Sequence, residues 1–429
     1  MQRHESYKPS GVKWLGDVPS HWDVETLRAV TQLKSDRNRP DLPVLSVYRE
    51  YGVIRKDSRD DNHNATSLDT STYKVVKPGD LVVNKMKAWQ GSMGISAHEG
   101  IVSPAYITCA TKSERVLPGY LHYLLRSSSL IGVYNSLSYG VRVGQWDMHY
   151  EDFKQIKIPI PPRDEQDRII NLLDQKTAAI EFAIKKKEVL IELLQEQRHV
   201  LINNAVMRGV KPHQHFHDSG VAWLGAIPTH WGLKPLKRLV DFVGGGTPNK
   251  NTLAFWNGNI PWVSPKDMKF EKITKSQDYI TPLAVKKSSV KMIPKGAILV
   301  VVRGMILART FPVGVSDLPV TINQDMKGLI PKAEIDAEFL RYVLSGQEQQ
   351  ILDLTEESGH GTKTMPTDKL GSFPIVVPPL SEQVEIREYC HDISVSVENI
   401  VASVRRQLVQ LRELKTTLVT TMVSGKGKA

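Results

Sequence analysis

The 429 residues contain only two cysteines, Cys109 and Cys390, too far apart to suggest a metal-binding cluster or a disulfide framework. No apolar run approaches the ~18 residues of a membrane span. The opening Met1-Gln2-Arg3-His4-Glu5 has no secretory-type apolar stretch, so the expected compartment is the cytoplasm. Catalytic signatures are also missing. No Gly-x4-Gly-Lys-Ser/Thr is present, which excludes a phosphate loop and its motor. The two Pro-Pro pairs follow Ile160 and Val377, so neither forms the Asp/Asn/Ser-Pro-Pro-aromatic loop that grips a flipped base. Phe242-Val243-Gly244-Gly245-Gly246 fits a Phe-x-Gly-x-Gly cofactor pattern, but Thr247-Pro248-Asn249 stands where a helix would have to start. A glycine turn is the better reading. No carboxylates and lysine form a nuclease pattern, and the alternating His213, His215 and His217 read as a solvated linker. The expectation is a chain with no catalytic residues, no metal and no cofactor of its own.

Two stretches lack proline and glycine altogether. Asp164 to Met207 and Leu380 to Ser424 are built of Ile, Leu, Val, Glu, Lys and Gln. That composition makes helix, and 44 residues at ~1.5 Å rise span ~65 Å. Each stretch follows a strand-like run closed by two prolines, Ile156 to Pro162 and Phe373 to Pro379. The stretches align at an offset of 217, with Glu165-Gln166 falling on Glu382-Gln383. Leu173, Ile180, Lys187, Leu194 and Leu201 repeat every seven residues, as do Cys390, Val397, Val404, Leu411 and Leu418. A second series, Thr177, Ile184, Ile191, Arg198 and Ala205, is matched by Ser394, Val401, Leu408, Lys415 and Met422. Sustained heptads predict a coiled-coil seam, interrupted at Arg198 and Lys415. Two amphipathic helices lying on separate cores is the competing arrangement.

The duplication begins earlier. Ser10-Gly11-Val12-Lys13-Trp14-Leu15-Gly16 leading to Pro19-Ser20-His21-Trp22 returns 209 residues later as Ser219 to Gly225 leading to Pro228-Thr229-His230-Trp231. A phrase repeated at the midpoint indicates two versions of one unit. Between the repeats lie short strand signals, such as Val44 to Tyr48, Leu81 to Val83, Tyr106 to Thr108, Ile260 to Val263 and Ile298 to Val302. Helices are predicted over 118–131 and 337–354.

The net charge is +10. Residues 163–208 and 381–424 together carry 13 Lys/Arg against 14 Asp/Glu, leaving 43 against 32 for the rest of the chain. The positive excess therefore sits on the globular parts, which fits basic recognition domains joined by a neutral spacer.

With both repeats in hand, the chain resembles the specificity subunit of type I DNA restriction–modification enzymes. The resemblance covers nearly the whole chain. It rests on the two Trp-Leu-Gly…Pro-x-His-Trp phrases, the two Pro-Pro-x-x-Glu-Gln helix starts, Val102-Ser103-Pro104-Ala105-Tyr106 and Gly245-Gly246-Thr247-Pro248. It implies a mixed α+β fold with two pseudo-symmetric target-recognition domains, each with small β-sheets, joined by two long antiparallel helices. The expected division is 1–162 and 211–379 for the domains, 163–210 and 380–425 for the helices, and 426–429 for a tail. It also implies a bipartite double-stranded DNA target, two docked methyltransferase subunits to which two restriction subunits can add, and no catalysis in this chain. Half-sites about one helical turn apart, ~34 Å, suit such a pseudo-twofold object. Because the domains differ, the two halves of the target should differ. A self-contained DNA adenine methyltransferase or restriction chain is the alternative, and a purely protein-binding scaffold a third.

Base reading needs Arg, Lys, Asn and Gln at base edges. In the first unit the candidates are Lys85, Lys87, Trp89 and Gln90, then Arg142 and Gln145 in the Gly-flanked stretch 139–146. In the second they are Thr247, Asn249, Lys250, Arg303, Thr362 and Lys363. Docking of the methyltransferase subunits is assigned to repeated features, namely Glu165, Gln166, Glu382, Gln383 and the outward helix faces. Trp14, Trp22, Trp223 and Trp231 either tie each unit to its helix or meet the same partner.

Overall fold

A computed structural model of the chain describes residues 2–58, 69–112, 114–140, 146–212, 215–358 and 361–429. The chain divides into two compact units, Met1–Glu188 with Arg405–Ala429, and Val189–Val404. The fold is mixed α and β, with small sheets and two long helices, as expected. The helices run Arg163–Arg208 and Leu380–Val423. The divide between units falls inside both helices, so each unit contains part of each.

Both helices start for the same reason. The proline that ends the preceding strand leaves its carbonyl to the first turn. Pro162 O accepts from Glu165 N and Gln166 N, and Pro379 O from Glu382 N and Gln383 N. Both end on a left-handed glycine, Gly209 at φ 81° and Gly425 at φ 72°. Within each unit the helix segments run antiparallel. In the first unit Lys415 Nζ lies 2.5 Å from Glu181 and Arg412 Nη2 2.9 Å from Glu188. In the second Arg198 Nη1 lies 3.7 Å from Glu398. The two charged interruptions of the heptad therefore each meet an acid across the seam. Arg198–Glu398 and Glu181–Lys415 are related residue for residue by the offset of 217.

Each unit centres on an antiparallel sheet with the same strand order. In the first it runs Thr31–Lys34, Tyr106–Thr111, Leu81–Asn84, Met93–Ile95. In the second it runs Val240–Gly244, Met326–Pro331, Ile298–Val301, Val313–Ser316, with Lys272–Ile273 added in parallel. A separate pair holds the closing strand. Asp23–Thr26 pairs with Lys157–Ile160, and Gly232–Pro235 with Pro374–Val377. The closing strand then passes through its prolines into the long helix. The first core joins Trp22, Leu81, Val83, Tyr120 and Phe153 to Leu173, Leu418 and Met422 of the helices. The second joins Trp231, Ile298, Val300 and Phe339 to Val206, Ile386 and Cys390.

The helix predicted over 118–131 is two helices, Pro118–Leu125 and Ser128–Leu137. Arg126 at the break donates through Nη2 to Arg49 O and Glu50 O, a tie from 76 and 77 residues away. The stretch 337–354 likewise breaks at Gln347 into Ala337–Gly346 and Glu348–Leu352. Gly346 there lies so close to Asn203 that a Cβ would fall 2.1 Å from its Oδ1.

Candidate nucleic-acid interface

The sheet registers place the predicted reading stretches. In the first unit Asn84 pairs with Tyr106, so the chain leaves one strand at the edge where the next enters. From that edge Lys85–Gln90 coil into a 3-10 turn that ends at Gly91, φ 85°. Ala88 is buried and anchors the turn; Met86 and Lys87 face outward. The turn rests on the hairpin Ser138–Tyr139 with Asp147–Met148. Lys85 Nζ is 3.2 Å from Asp147 Oδ2, and Trp89 meets Trp146 edge-on with ring centres 5.2 Å apart. The stretch 84–91 thus shares a surface with Tyr139 and Trp146, the described ends of the stretch 139–146. Trp89 is half-buried within it and Gln90 lies beside it, whereas Arg142 and Gln145 lie outside the described residues.

The second unit repeats this arrangement. After Ile298–Val301 the backbone N–H groups of Val302 and Arg303 both donate to Asp325 O. Arg303 pairs with Thr364 and Gly304 with Lys363, in a small sheet completed by Glu356–Ser358. Gly304 at φ 143° then admits the 3-10 turn Met305–Ala308, anchored by buried Leu307. Arg303 is exposed, Thr362 and Lys363 are half-buried, and Lys363 Nζ stands 3.8 Å from Glu357.

A third stretch reaches the same sheet edge, because Gly244 pairs with Lys327 while Val301 pairs with Met326. The glycines after it allow close backbone approach. A Cβ on Gly245 would lie 1.8 Å from Asn323 O, and one on Gly246 2.6 Å from Ser289 Oγ. Thr247 Oγ1 donates to Gln324 Oε1. Asn249 Oδ1 accepts from Asn251 N at 3.0 Å, which uses that side chain in its own turn, and Lys250 is exposed.

Sequence reading missed two methionines. Met86 is 52% exposed and Met305 74% exposed, each at the second position of its turn or its start. An offset of 219 carries one onto the other, and the same offset carries buried Ala88 onto buried Leu307. Gln324, exposed beside Asp325, was missed as well.

The expected docking residues have internal roles. Gln166 is fully buried. Its Nε2 donates to Pro161 O and Arg115 O, and its Oε1 accepts from Leu117 N. Gln383 is equally buried and makes the same three bonds, to Pro378 O and Glu334 O and from Asp336 N. Glu165 is buried against His21, while half-buried Glu382 accepts from His230 Nε2 at 2.7 Å and Trp231 Nε1 at 2.9 Å. A partner contact through the two glutamines would break bonds that hold each helix to its domain. Trp22 and Trp231 are buried, Trp14 is half-buried, and Trp223, though partly exposed, stacks on Phe373 with ring centres 5.3 Å apart.

The sequence profile of the type I restriction modification DNA specificity domain matches residues 19–192 and again 228–399. The specificity subunit of the Escherichia coli type I restriction enzyme EcoR124I/EcoR124II is 31% identical over 307 residues, covering 70% of this chain and 69% of that one. A Methanocaldococcus jannaschii protein, the putative MjaX specificity subunit, is 21% identical over 99% of this chain and 97% of its own. Among solved structures, a chain from a study of type I R-M complex assembly superposes with a TM-score of 0.71 at 18% identity, over 95% of this chain and 98% of its own. The HsdS subunit of Thermoanaerobacter tengcongensis superposes at 0.56, also at 18% identity, over 96% and 98%. The twofold match falls on the twofold frame, and the chain belongs to the type I restriction–modification DNA specificity subunits, which recognise DNA and leave catalysis to other subunits.

Proposed function

We propose that each domain, 1–162 and 211–379, reads one half of an asymmetric bipartite DNA target through the turn at the end of its central sheet. The observation that carries this reading is convergence. In each unit the exit of the central strand, a 3-10 turn with an exposed methionine, and a hairpin from just before the closing strand form one surface that offers cations. Lys85 and Lys87 would set register on phosphates in the first half-site. Gln90 and, from the adjoining stretch, Arg142 and Gln145 would reach base edges. In the second, Arg303 is the side chain suited to a guanine edge, with Lys250, Lys363, Thr247, Asn249 and Thr362 around it. Met86 and Met305 offer apolar contact of the kind a thymine methyl accepts. The helices, 163–210 and 380–425, fix the gap between half-sites. Two methyltransferase subunits dock on their exposed faces and on the Glu382 region, restriction subunits join that assembly, and the complex works in the cytoplasm.

The test is an exchange of residues 1–162 for the corresponding domain of another specificity subunit, followed by mapping of methylated adenines in the host genome. One half of the methylated sequence should change and the other should persist. An unaltered sequence, or loss of both halves in a complex that still assembles, would overturn the reading.

A further inference from the structure

Among the described residues, the anchors of the two units differ in what the tryptophan of the repeated phrase does. In the second, the carboxylate of Glu382 is occupied by His230 and by the indole N–H of Trp231. In the first, Glu165 lies 2.8 Å from His21 Nε2, but Trp22 Nε1 does not reach it and is buried without a partner. A second imidazole takes that side instead. His4 is 8% exposed, and its Nε2 faces Glu165 Oε1 at 3.6 Å, buried and without a hydrogen bond.

A separation of 3.6 Å is too long for an N–H···O bond, which favours ~2.9–3.0 Å. It is close to the ~3.3 Å that separates two ligand atoms held ~2.0–2.1 Å from one tetrahedral ion. One ligand atom each from His4, His21 and Glu165 all lie within 4.8 Å of one another. The two imidazole rings are 5.5 Å apart and tilted by 51°, so they converge rather than stack. A buried, unpartnered imidazole nitrogen directed at a carboxylate that already holds another imidazole is what a metal site shows without its ion.

We propose that His4, His21 and Glu165 form a divalent transition-metal site, and that zinc is its ion. Two imidazoles and one carboxylate suit zinc, whereas magnesium and calcium take oxygen ligands. On binding, His21 Nε2 gives up its hydrogen bond to Glu165 and turns its lone pair to the ion, with the ring proton on Nδ1; His4 binds in the same tautomer. Water fills the fourth position from the side of His21, whose side chain is half exposed and provides the way in. The ion would clip the segment before the hairpin of Tyr7–Pro9 with Asp17–Pro19 to the repeated phrase and to the first turn of the long helix.

The full chain, purified without a histidine tag, is stripped with a chelator, loaded with zinc and dialysed. Metal content is then read by mass spectrometry, and cobalt(II) is substituted to read coordination. One zinc per chain is expected, together with the intense visible absorption of tetrahedral cobalt. Both should fall at least tenfold in His4→Ala and in Glu165→Gln, and both should persist in His230→Ala. A triple alanine variant at His213, His215 and His217 should also keep them. Zinc that follows the linker histidines, or a wild-type chain that retains none above background, overturns the proposal. If His4→Ala fails to fold, the wild-type cobalt spectrum decides: absence of tetrahedral absorption overturns it.

Discussion

The repeated frame and the reading tips of this chain were duplicated together, yet they have diverged very differently. In the frame, Gln166 and Gln383 make the same three bonds to corresponding groups, and Arg198–Glu398 and Glu181–Lys415 are the same ion pair. At the tips the fold of the turn persists while its chemistry changes. Lys85-Met86-Lys87-Ala88-Trp89-Gln90 corresponds to Gly304-Met305-Ile306-Leu307-Ala308-Arg309. The frame must satisfy its own buried groups, and those are alike in both units. On the proposed reading, the tips answer to DNA half-sites that differ between units.

The hardest test of that contrast is in the frame. Gln166→Ala removes the partner of the Leu117 N–H and of the Arg115 and Pro161 carbonyls, of which Pro161 is buried; a buried group left unpaired costs ~1–3 kcal/mol. A loss of about 3 kcal/mol is expected in denaturant unfolding, and Gln383→Ala should lose a similar amount. If one variant is silent, the two latches are not equivalent. If both are silent in stability but the methyltransferase subunits no longer bind, the glutamines are docking residues after all.

A frame position that did diverge gives the next effect. His122 corresponds to Arg341. Burial, helped by the charge of Arg126, pushes the His122 pKa down to about 4. Arg341 instead stays charged between Glu338 at 2.7 Å and Glu271 at 3.0 Å. The unfolded chain binds a proton at His122 near its ordinary pKa of ~6.5, whereas the folded chain does not until about 4. The stability from neutral His122 is therefore complete above pH 6.5 and is lost as pH falls toward 4, by about 3 kcal/mol at most. Melting curves of wild type and His122→Gln should diverge across that window. Parallel curves would show that His122 does not titrate.

Much of the frame was legible because a repeat exposes itself. The Pro-Pro-x-x-Glu-Gln motif marked both helix starts, and the glycines after Arg208 and Ser424 their ends. What the repeat could not convey was whether Glu165, Gln166, Glu382 and Gln383 recur for a partner or for packing, since only burial separates those. The tie of Arg126 to Arg49 O and Glu50 O was invisible because those carbonyls lie far back in the chain. Met86 and Met305 were missed because small insertions move the offset from 209 at the phrase to 219 at the tips, so neither repeat's own alignment pairs them.

At the tips the effects should be local to one half-site. Arg303→Ala should cost ~1–3 kcal/mol of DNA binding and relax the target at one position of the second half. Met305→Ala should cost less, about 1 kcal/mol, without changing stability, because an exposed side chain leaves no cavity. Met86→Ala should do the same to the first half alone. Competition binding on sequence variants reads all three. An effect of Met305→Ala on the first half-site would break the assignment of tips to halves.

The cross-helix pairs should matter least, even though the duplication repeats them at equivalent places. Arg198, Glu398, Glu181 and Lys415 are all at least about a third exposed, and exposed pairs contribute ~0.2–1 kcal/mol, less in high salt. Their fidelity therefore cannot be explained by stability. An antiparallel seam can slip by a heptad at little apolar cost, and a charge that meets its acid in only one register resists that slip. Reversing one residue, Lys415→Glu, sets it against Glu181 and should lower stability by no more than about 1 kcal/mol. The double variant Lys415→Glu with Glu181→Lys should restore what is lost. If register is the purpose, the single reversal should also loosen the fixed number of unread base pairs between methylated half-sites, and the double reversal should restore it. A spacing unchanged in both would leave these pairs as surface charges that the duplication copied.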